Sequence, residues 1–358
     1  MGTSAKIPWY ERLFDAACLF SVVGIYPRFI EPRLLCVARR SIPIATLPLA
    51  FDGMKIAFFS DLHVNQYSSP WFLRRLQKRI CRFAPDVIIF AGDLLSYAKL
   101  PRLDLAAKFF DGLSAPLGVY ACLGNHDYSS YSTMDQNGRP VQESQGGHPI
   151  IQGLKRLLGL PRATSSVEAP LPFNESLMAF YADRRIHLLH NEVVHLGTGA
   201  SRINLIGLGD ITAGHLFPSE AYQGCDPRAP VIVFGHNPDS YASLSYFPGD
   251  LFLFGHTHGG QVNLPYIWEK LTPTIDKSLK SGLYERDGRT IFITRGVGAT
   301  FPFRLFAPPQ LALLTLYRGG MERSRVPTAP LLEPASSTPS YAAQRASSSE
   351  SERETAPS

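Results

Sequence analysis

Eight apolar runs of only four to six residues punctuate this chain from Phe51 onward: Lys55 to Ser60, Val87 to Ala91, Val119 to Leu123, Ile203 to Gly207, Val231 to Phe234, Leu251 to Phe254, Ile291 to Thr294 and Leu311 to Leu316. Runs this short, nearly unbroken by polar residues and mostly closed by Gly, Asp or His, read as buried β-strands. Helical stretches separate them, so the pattern predicts an α/β or layered α+β domain with its catalytic residues at strand ends. Of 358 residues 45% are hydrophobic and 18% charged, enough for one large domain or two small ones. That balance excludes a fibrous, collagenous or wholly disordered chain, and no internal repeat at a fixed period is present.

The residues that follow five of the strands are of one chemical kind. They are Asp61 and His63 in SDLH, Asp93 in AGD, Asn125 and His126 in GNHD, His236 in FGHNPD, and His256 with His258 in FGHTH. Carboxylate, imidazole and amide oxygen suit borderline to hard divalent metals such as Mn, Fe, Co or Zn. Using so many ligands takes two metals. A single strand-end His is usually a loop residue, but eight metal-capable groups gathered at five strand ends are costly to bury unless they are paired or coordinated. Residues i and i+2 of a strand share a face, so Asp61 with His63 and His256 with His258 would converge if strand geometry persisted through them. The five cysteines are odd in number, scattered and never in a CxxC pair, which excludes a disulfide scaffold and a thiolate zinc cluster and points to a reducing compartment.

The order D-x-H, GD, GNHD, GH, GHTH resembles the calcineurin-like metallophosphoesterases over Phe51 to Leu316. The resemblance implies an α/β fold, a four-layer α/β/β/α sandwich of two mixed sheets, with a dinuclear site at the strand ends. It implies that Asp61, His63 and His258 hold the first metal, that Asp93 bridges, and that Asn125, His236 and His256 hold the second. His126 matches the family's non-ligand histidine, which stabilises developing charge or protonates the leaving group. Two such cations, with manganese the expected pair, activate water and neutralise phosphate oxygens during in-line displacement. No Gly-x-Ser-x-Gly elbow or Walker loop suggests another route.

GHTHGGQVNLP from Gly255 and TRGVGATFPFRLFAPPQLALLTL from Thr294 resemble a branch of bacterial enzymes that act at the membrane on phosphorylated or nucleotide-linked lipids. The activity implied is cleavage of UDP-2,3-diacylglucosamine to UMP and 2,3-diacylglucosamine 1-phosphate, a step of lipid A biosynthesis; a general phosphodiesterase or phosphatase acting on nucleotides or phospholipids is the alternative. Where that branch carries Pro-Pro-Glu this chain has Pro308, Pro309 and Gln310, which removes a charge. Arg295 and Arg304 are candidates for holding phosphate or, equally, for bracing loops.

Three stretches bear on a lipid substrate. Residues 1–50 carry an apolar run from about Ala16 to Tyr26, too short to span a bilayer, followed by Arg28, Arg33, Arg39 and Arg40; this predicts a membrane-interfacial segment, with a pair of packed short helices as the alternative. No cleavable signal is evident, so the expected place is the cytoplasmic face of the inner membrane, held peripherally. From Trp71 to Phe83 apolar and basic residues segregate to opposite faces, as in either a membrane-surface helix or one packed on the sheet. An insertion near 128–178 within a catalytic domain of residues 51–320 is expected to act as a cap or to be a surface excursion. After about Gly320 the composition predicts a disordered tail, 321–358. The net charge of +5 is modest, its basic residues lie among apolar ones, and neither a nucleic-acid nor a protein partner is implied.

Overall fold

The computed structural model describes residues 8–99, 101–135, 137–143, 149–160, 163–199, 201–272 and 274–319; the expected tail lies outside them. Two six-stranded mixed sheets stack face to face. The first runs Cys36–Ile44, Gln310–Arg318, Lys55–Phe59, Val87–Ala91, Val119–Cys122, His187–Leu188, and the second Gly282–Arg286, Arg289–Ile293, Leu251–Phe254, Val231–Phe234, Ser201–Gly207, Glu192–Thr198. In each, the strands that lead to the candidate ligands are parallel neighbours, for example Ala57 opposite Ile88 and Val233 opposite Phe252.

Alternation along each strand sends side chains to two apolar layers, which is why the runs read as continuous rather than alternating. Ile56, Phe58, Ile89 and Leu314 of the first sheet meet Leu205, Phe234, Leu253 and Phe292 of the second, with the Phe58 and Phe292 rings 6.2 Å apart edge to face. Outward, Phe59 and Phe90 pack under the helices Pro70–Phe83 and Leu103–Asp111. On the far side Val233 and Phe254 pack beneath Ala221, Tyr241 and Leu244. This is the expected four-layer sandwich.

The Pro70–Phe83 helix is capped by Ser69, whose hydroxyl accepts the Phe72 N–H, and it buries Phe72, Leu73, Leu76 and Ile80 against the sheet. Its basic face is solvent-exposed at Arg74, Lys78, Arg79 and Arg82, so the amphipathic pattern is that of a packed helix.

The boundary at residue 50 needs correction. Cys36–Ile44 is an edge strand of the first sheet, paired in parallel with Gln310–Arg318 along its whole length. Ile42 and Ile44 enter the inter-sheet core while Arg39 and Arg40 face solvent. Pro43 is tolerated because an edge strand has one row of unpaired backbone; the Arg pair and the proline together hide the alternation. Ahead of it come the helix Trp9–Leu19 and shorter helical turns through Arg33. Among the described residues no helix is long and apolar enough to cross a membrane.

The 128–178 insertion holds a three-stranded antiparallel sheet, Ser132–Met134, Pro140–Glu143 and Thr164–Ser166, and a helix, Pro149–Leu158. A Tyr128–Phe173 bridge closes its base.

Candidate metal centre

All eight strand-end residues meet outside the carboxyl ends of the parallel strands, where open α/β sheets place their ligands. Asp61, His63, Asp93, Asn125 and His126 come from the first sheet, and His236, His256 and His258 from the second. The strands stop at Phe59 and Phe254, so the i, i+2 argument is corrected. Convergence comes from left-handed backbone at Asp61, His63, Asp93, His256 and His258, with φ between 43° and 65°. Non-glycine residues seldom hold that conformation, and a cluster of five marks strain concentrated at one place. Gly124 is required for a different reason: a Cβ there would collide with the Asp93 carboxylate.

Two groups of acceptor atoms face one another. In the first, His63 Nε2 lies 3.2 Å from His258 Nε2, and His258 Nε2 lies 3.3 Å from Asp61 Oδ1. In the second, His256 Nδ1 lies 3.0 Å from Asn125 Oδ1 and 3.2 Å from His236 Nε2. Asp93 Oδ2 stands between the groups, 3.5 Å from His63 Nε2 and 3.1 Å from His236 Nε2. The other ends of these side chains are fixed. His63 Nδ1 is paired with Leu95 O and His236 Nδ1 with Ala91 O, so with the proton on Nδ1 each ring would turn an Nε2 lone pair inward to a cation. Asn125 Nδ2 donates to Ser132 O, which aims its oxygen at the centre. Asp61 Oδ1 is buried with no hydrogen-bond partner. Lone pairs aimed at lone pairs in a buried pocket, with an orphaned carboxylate oxygen among them, fit a pair of divalent cations.

The electrostatics agree. Burial disfavours a charged His236, yet the Asp93 and Asp61 carboxylates beside it raise its pKa to about 10, so positive charge is favoured at Nε2, the position a bound cation would take from the proton. Burial and the neighbouring His236 lower His256 to about 3. His256 N–H also donates to Asp61 Oδ2, tying the ends of the two sheets together.

His126 is held differently. Its backbone N–H donates to Asp93 Oδ1, and its Nδ1 accepts the Tyr97 N–H at 2.8 Å, which leaves the proton of the neutral ring on Nε2, 4.0 Å from Asp93 Oδ2. Burial lowers its pKa well below the usual histidine value. Tyr131 and Tyr97 pack on the ring, with centroids 4.3 and 4.9 Å away.

Several neighbours were not singled out from the sequence. Asp127, the last residue of GNHD, accepts the N–H groups of Asp93, Gly124 and Leu95 and so sets the turn under the centre; burial and Asp93 raise its pKa to about 7. Its place in the motif was the available signal. Asp210 accepts from Thr212 and Ala213, and its Oδ2 is buried without a hydrogen bond. Arg156, from the insertion helix, donates to the Tyr131 hydroxyl, the Glu143 carboxylate and Leu271 O; no sequence pattern links these positions.

Arg304 is fully buried and donates to the carbonyls of Arg295, Ala307 and Gly298, with Nη2 3.1 Å from His258 Nδ1. It braces a loop and the back of His258 and is not available to a substrate phosphate. Arg295 Nε donates to Pro308 O, and Gln310 Oε1 accepts the Arg295 N–H, so at this position an amide serves without the charge of a Glu.

A double-sheet sandwich with paired metal-capable groups at its strand ends defines a metal-dependent hydrolase of phosphate esters or anhydrides. The chain belongs to the calcineurin-like phosphoesterase family, whose model matches residues 54–260. It is 31% identical over 305 residues to the UDP-2,3-diacylglucosamine pyrophosphatase LpxG of Chlamydia muridarum, covering 81% of this chain and 92% of the relative. It is also 30% identical over 268 residues to the phosphodiesterase YaeI of Escherichia coli (73% and 82% covered), and 27% over 293 residues to the uncharacterized metallophosphoesterase YkuE of Bacillus subtilis (81% and 88%).

Proposed function

We propose that this chain hydrolyses the pyrophosphate of a nucleotide-linked lipid, UDP-2,3-diacylglucosamine, to UMP and 2,3-diacylglucosamine 1-phosphate. In this reading Asp61, His63 and His258 hold one divalent ion, Asp93 bridges, and Asn125, His236 and His256 hold the other, with manganese the expected metal. The observation that carries it is the facing of buried acceptor atoms across Asp93; the similarity to LpxG supports the substrate. Bound cations would supply Lewis-acid charge for the phosphate oxygens and lower the pKa of water. The protein's own part is orientation. Leu95 O and Ala91 O fix the rings of His63 and His236, and Asp127 fixes the Asp93 turn. His126 presents Nε2–H to the departing phosphate oxygen and, lying beside the ligand set, needs no metal to be in place. One water adds across the P–O–P bridge, and each product carries away one phosphate.

The work is proposed to take place on the cytoplasmic face of the inner membrane, where Trp9–Leu19 and the turns that follow it would rest on the bilayer surface. The alternative is a phosphodiesterase of broader range, which the similarity to YaeI favours.

The discriminating assay uses Mn-loaded full-length protein in detergent, with UDP-2,3-diacylglucosamine beside a simple aryl phosphodiester. Release of UMP, lowered about 10² to 10⁴-fold in His126→Ala at unchanged metal content, is the expected result. Cleavage of the aryl ester alone would leave the hydrolase and discard the lipid. Equal loss of metal in His126→Ala would overturn its role as proton donor.

A further inference from the structure

A cavity of about 330 Å³ lies between the N-terminal segment and the catalytic domain, at the lower end of ligand-sized spaces. Its lining combines apolar side chains, Phe29, Leu62, Phe72, Leu73, Val297 and Pro302, with polar ones such as Asn65 and Ser68; His63, from the candidate ligand set, lines it as well. Its principal charge is already answered. Arg28 pairs with Asp15 at 2.7 Å, donates to Pro302 O and lies 4.6 Å over the Phe301 ring, whereas Arg33, which also lines the cavity, is solvent-exposed and among the described residues donates only to Phe29 O.

The segment is fastened firmly. Arg304 N–H donates to Pro27 O, the buried Glu31 carboxylate accepts the Phe306 and Ala307 N–H groups, and Phe14 packs edge-on against Phe301 and Phe303. Yet the same segment turns other apolar groups to solvent: Trp9 is 74% exposed, Leu13 63% and Phe20 93%, with Trp71 (56%) on the adjoining helix. Arg75 Nη1 reaches Arg33 O, which places a basic rim on the same side. An outward cluster of large apolar side chains marks a contact with something apolar.

One segment therefore forms an outward apolar face with a basic rim and also the roof of a mostly apolar cavity that reaches a metal-capable histidine. We infer that this cavity receives an acyl chain of the lipid substrate, passed from a bilayer under the N-terminal segment, and that this segment rather than the 128–178 insertion selects chain length. The inference rests on the nucleotide-linked lipid reading. Each methylene buried contributes about 0.8 kcal/mol, roughly a fourfold gain in kcat/KM until the cavity is filled.

Ala299 lines the cavity, is only partly buried and is not one of the eight candidate ligands, so Ala299→Phe is the variant that fills the space. The experiment measures kcat/KM of the full-length protein for UDP-diacylglucosamines of increasing chain length and for a chain-free aryl phosphodiester. Wild type is expected to gain about tenfold or more across the series; Ala299→Phe is expected to lose that gain while its aryl hydrolysis stays within about twofold. Should Ala299→Phe lose aryl hydrolysis too, the smaller Ala299→Leu is read instead. Chain-length dependence kept intact in a variant that still cleaves the aryl ester, or lost on Leu154→Ser in the insertion helix, overturns the inference alone. A wild type that cleaves the aryl ester and no lipid overturns the substrate reading, and the inference with it.

Discussion

Asp93 divides its two oxygens between different tasks. Oδ1 is spent on the His126 backbone, and Oδ2 faces imidazoles from both sheets. If it bridges two cations, Asp93→Ala empties both sites together, and metal analysis of the purified variant should find neither ion; a variant still holding two would refute the bridge. The eight strand-end residues were legible in the sequence because each sits within four residues of the end of an apolar run. Tyr97, Tyr131 and Arg156 were not, since Tyr97 reaches His126 from a turn, Tyr131 from the insertion and Arg156 only through Tyr131, an approach that only the folded chain defines. Arg304 was visible with both readings open: a charge near the site gives no sign in the sequence of whether it points inward or at carbonyls.

At the level of elements, the outward face of Trp9–Leu19 can be tested without cutting the chain. Trp9→Ser, Leu13→Ser and Phe20→Ser combined should abolish co-sedimentation with anionic vesicles while leaving aryl phosphodiester turnover within about twofold; undiminished sedimentation would sink the interfacial proposal. Deleting residues 1–50 is a poor substitute, because it removes the Cys36–Ile44 strand and uncovers the core beside Ile42 and Ile44. The helix from Pro70 and the central strands were readable from periodicity and run length. That edge strand was not, because Arg39, Arg40 and Pro43 are acceptable only to an edge, and its identity depends on a partner more than 250 residues away in sequence.

For the whole molecule, two buried histidines set a pH limit. His190 and His215 lie 3.2 Å apart beneath Tyr128 and Phe173, and burial followed by His215 lowers His190 to about 3. Between that value and the ordinary histidine value near 6.5 the unfolded chain takes up a proton that the folded chain refuses. Stability therefore rises with pH through this window and is lost as pH falls below about 6.5. His190→Gln should flatten the dependence by up to about 1.4 kcal/mol per pH unit in urea titrations; an unchanged slope would show that the acid limit lies elsewhere. The origin of the ligand set in two separate sheets has a mechanical consequence. An ion held by His63 on one side and His258 on the other, or by Asn125 and His236, would act as a rivet through the stack, clamping layers that otherwise adhere by apolar contact and a few polar ties such as His236 to Ala91 O. Chelation should then lower the melting temperature as well as silence the enzyme, by an amount that follows free metal concentration, since ligand at about a thousand times its dissociation constant adds about 4 kcal/mol.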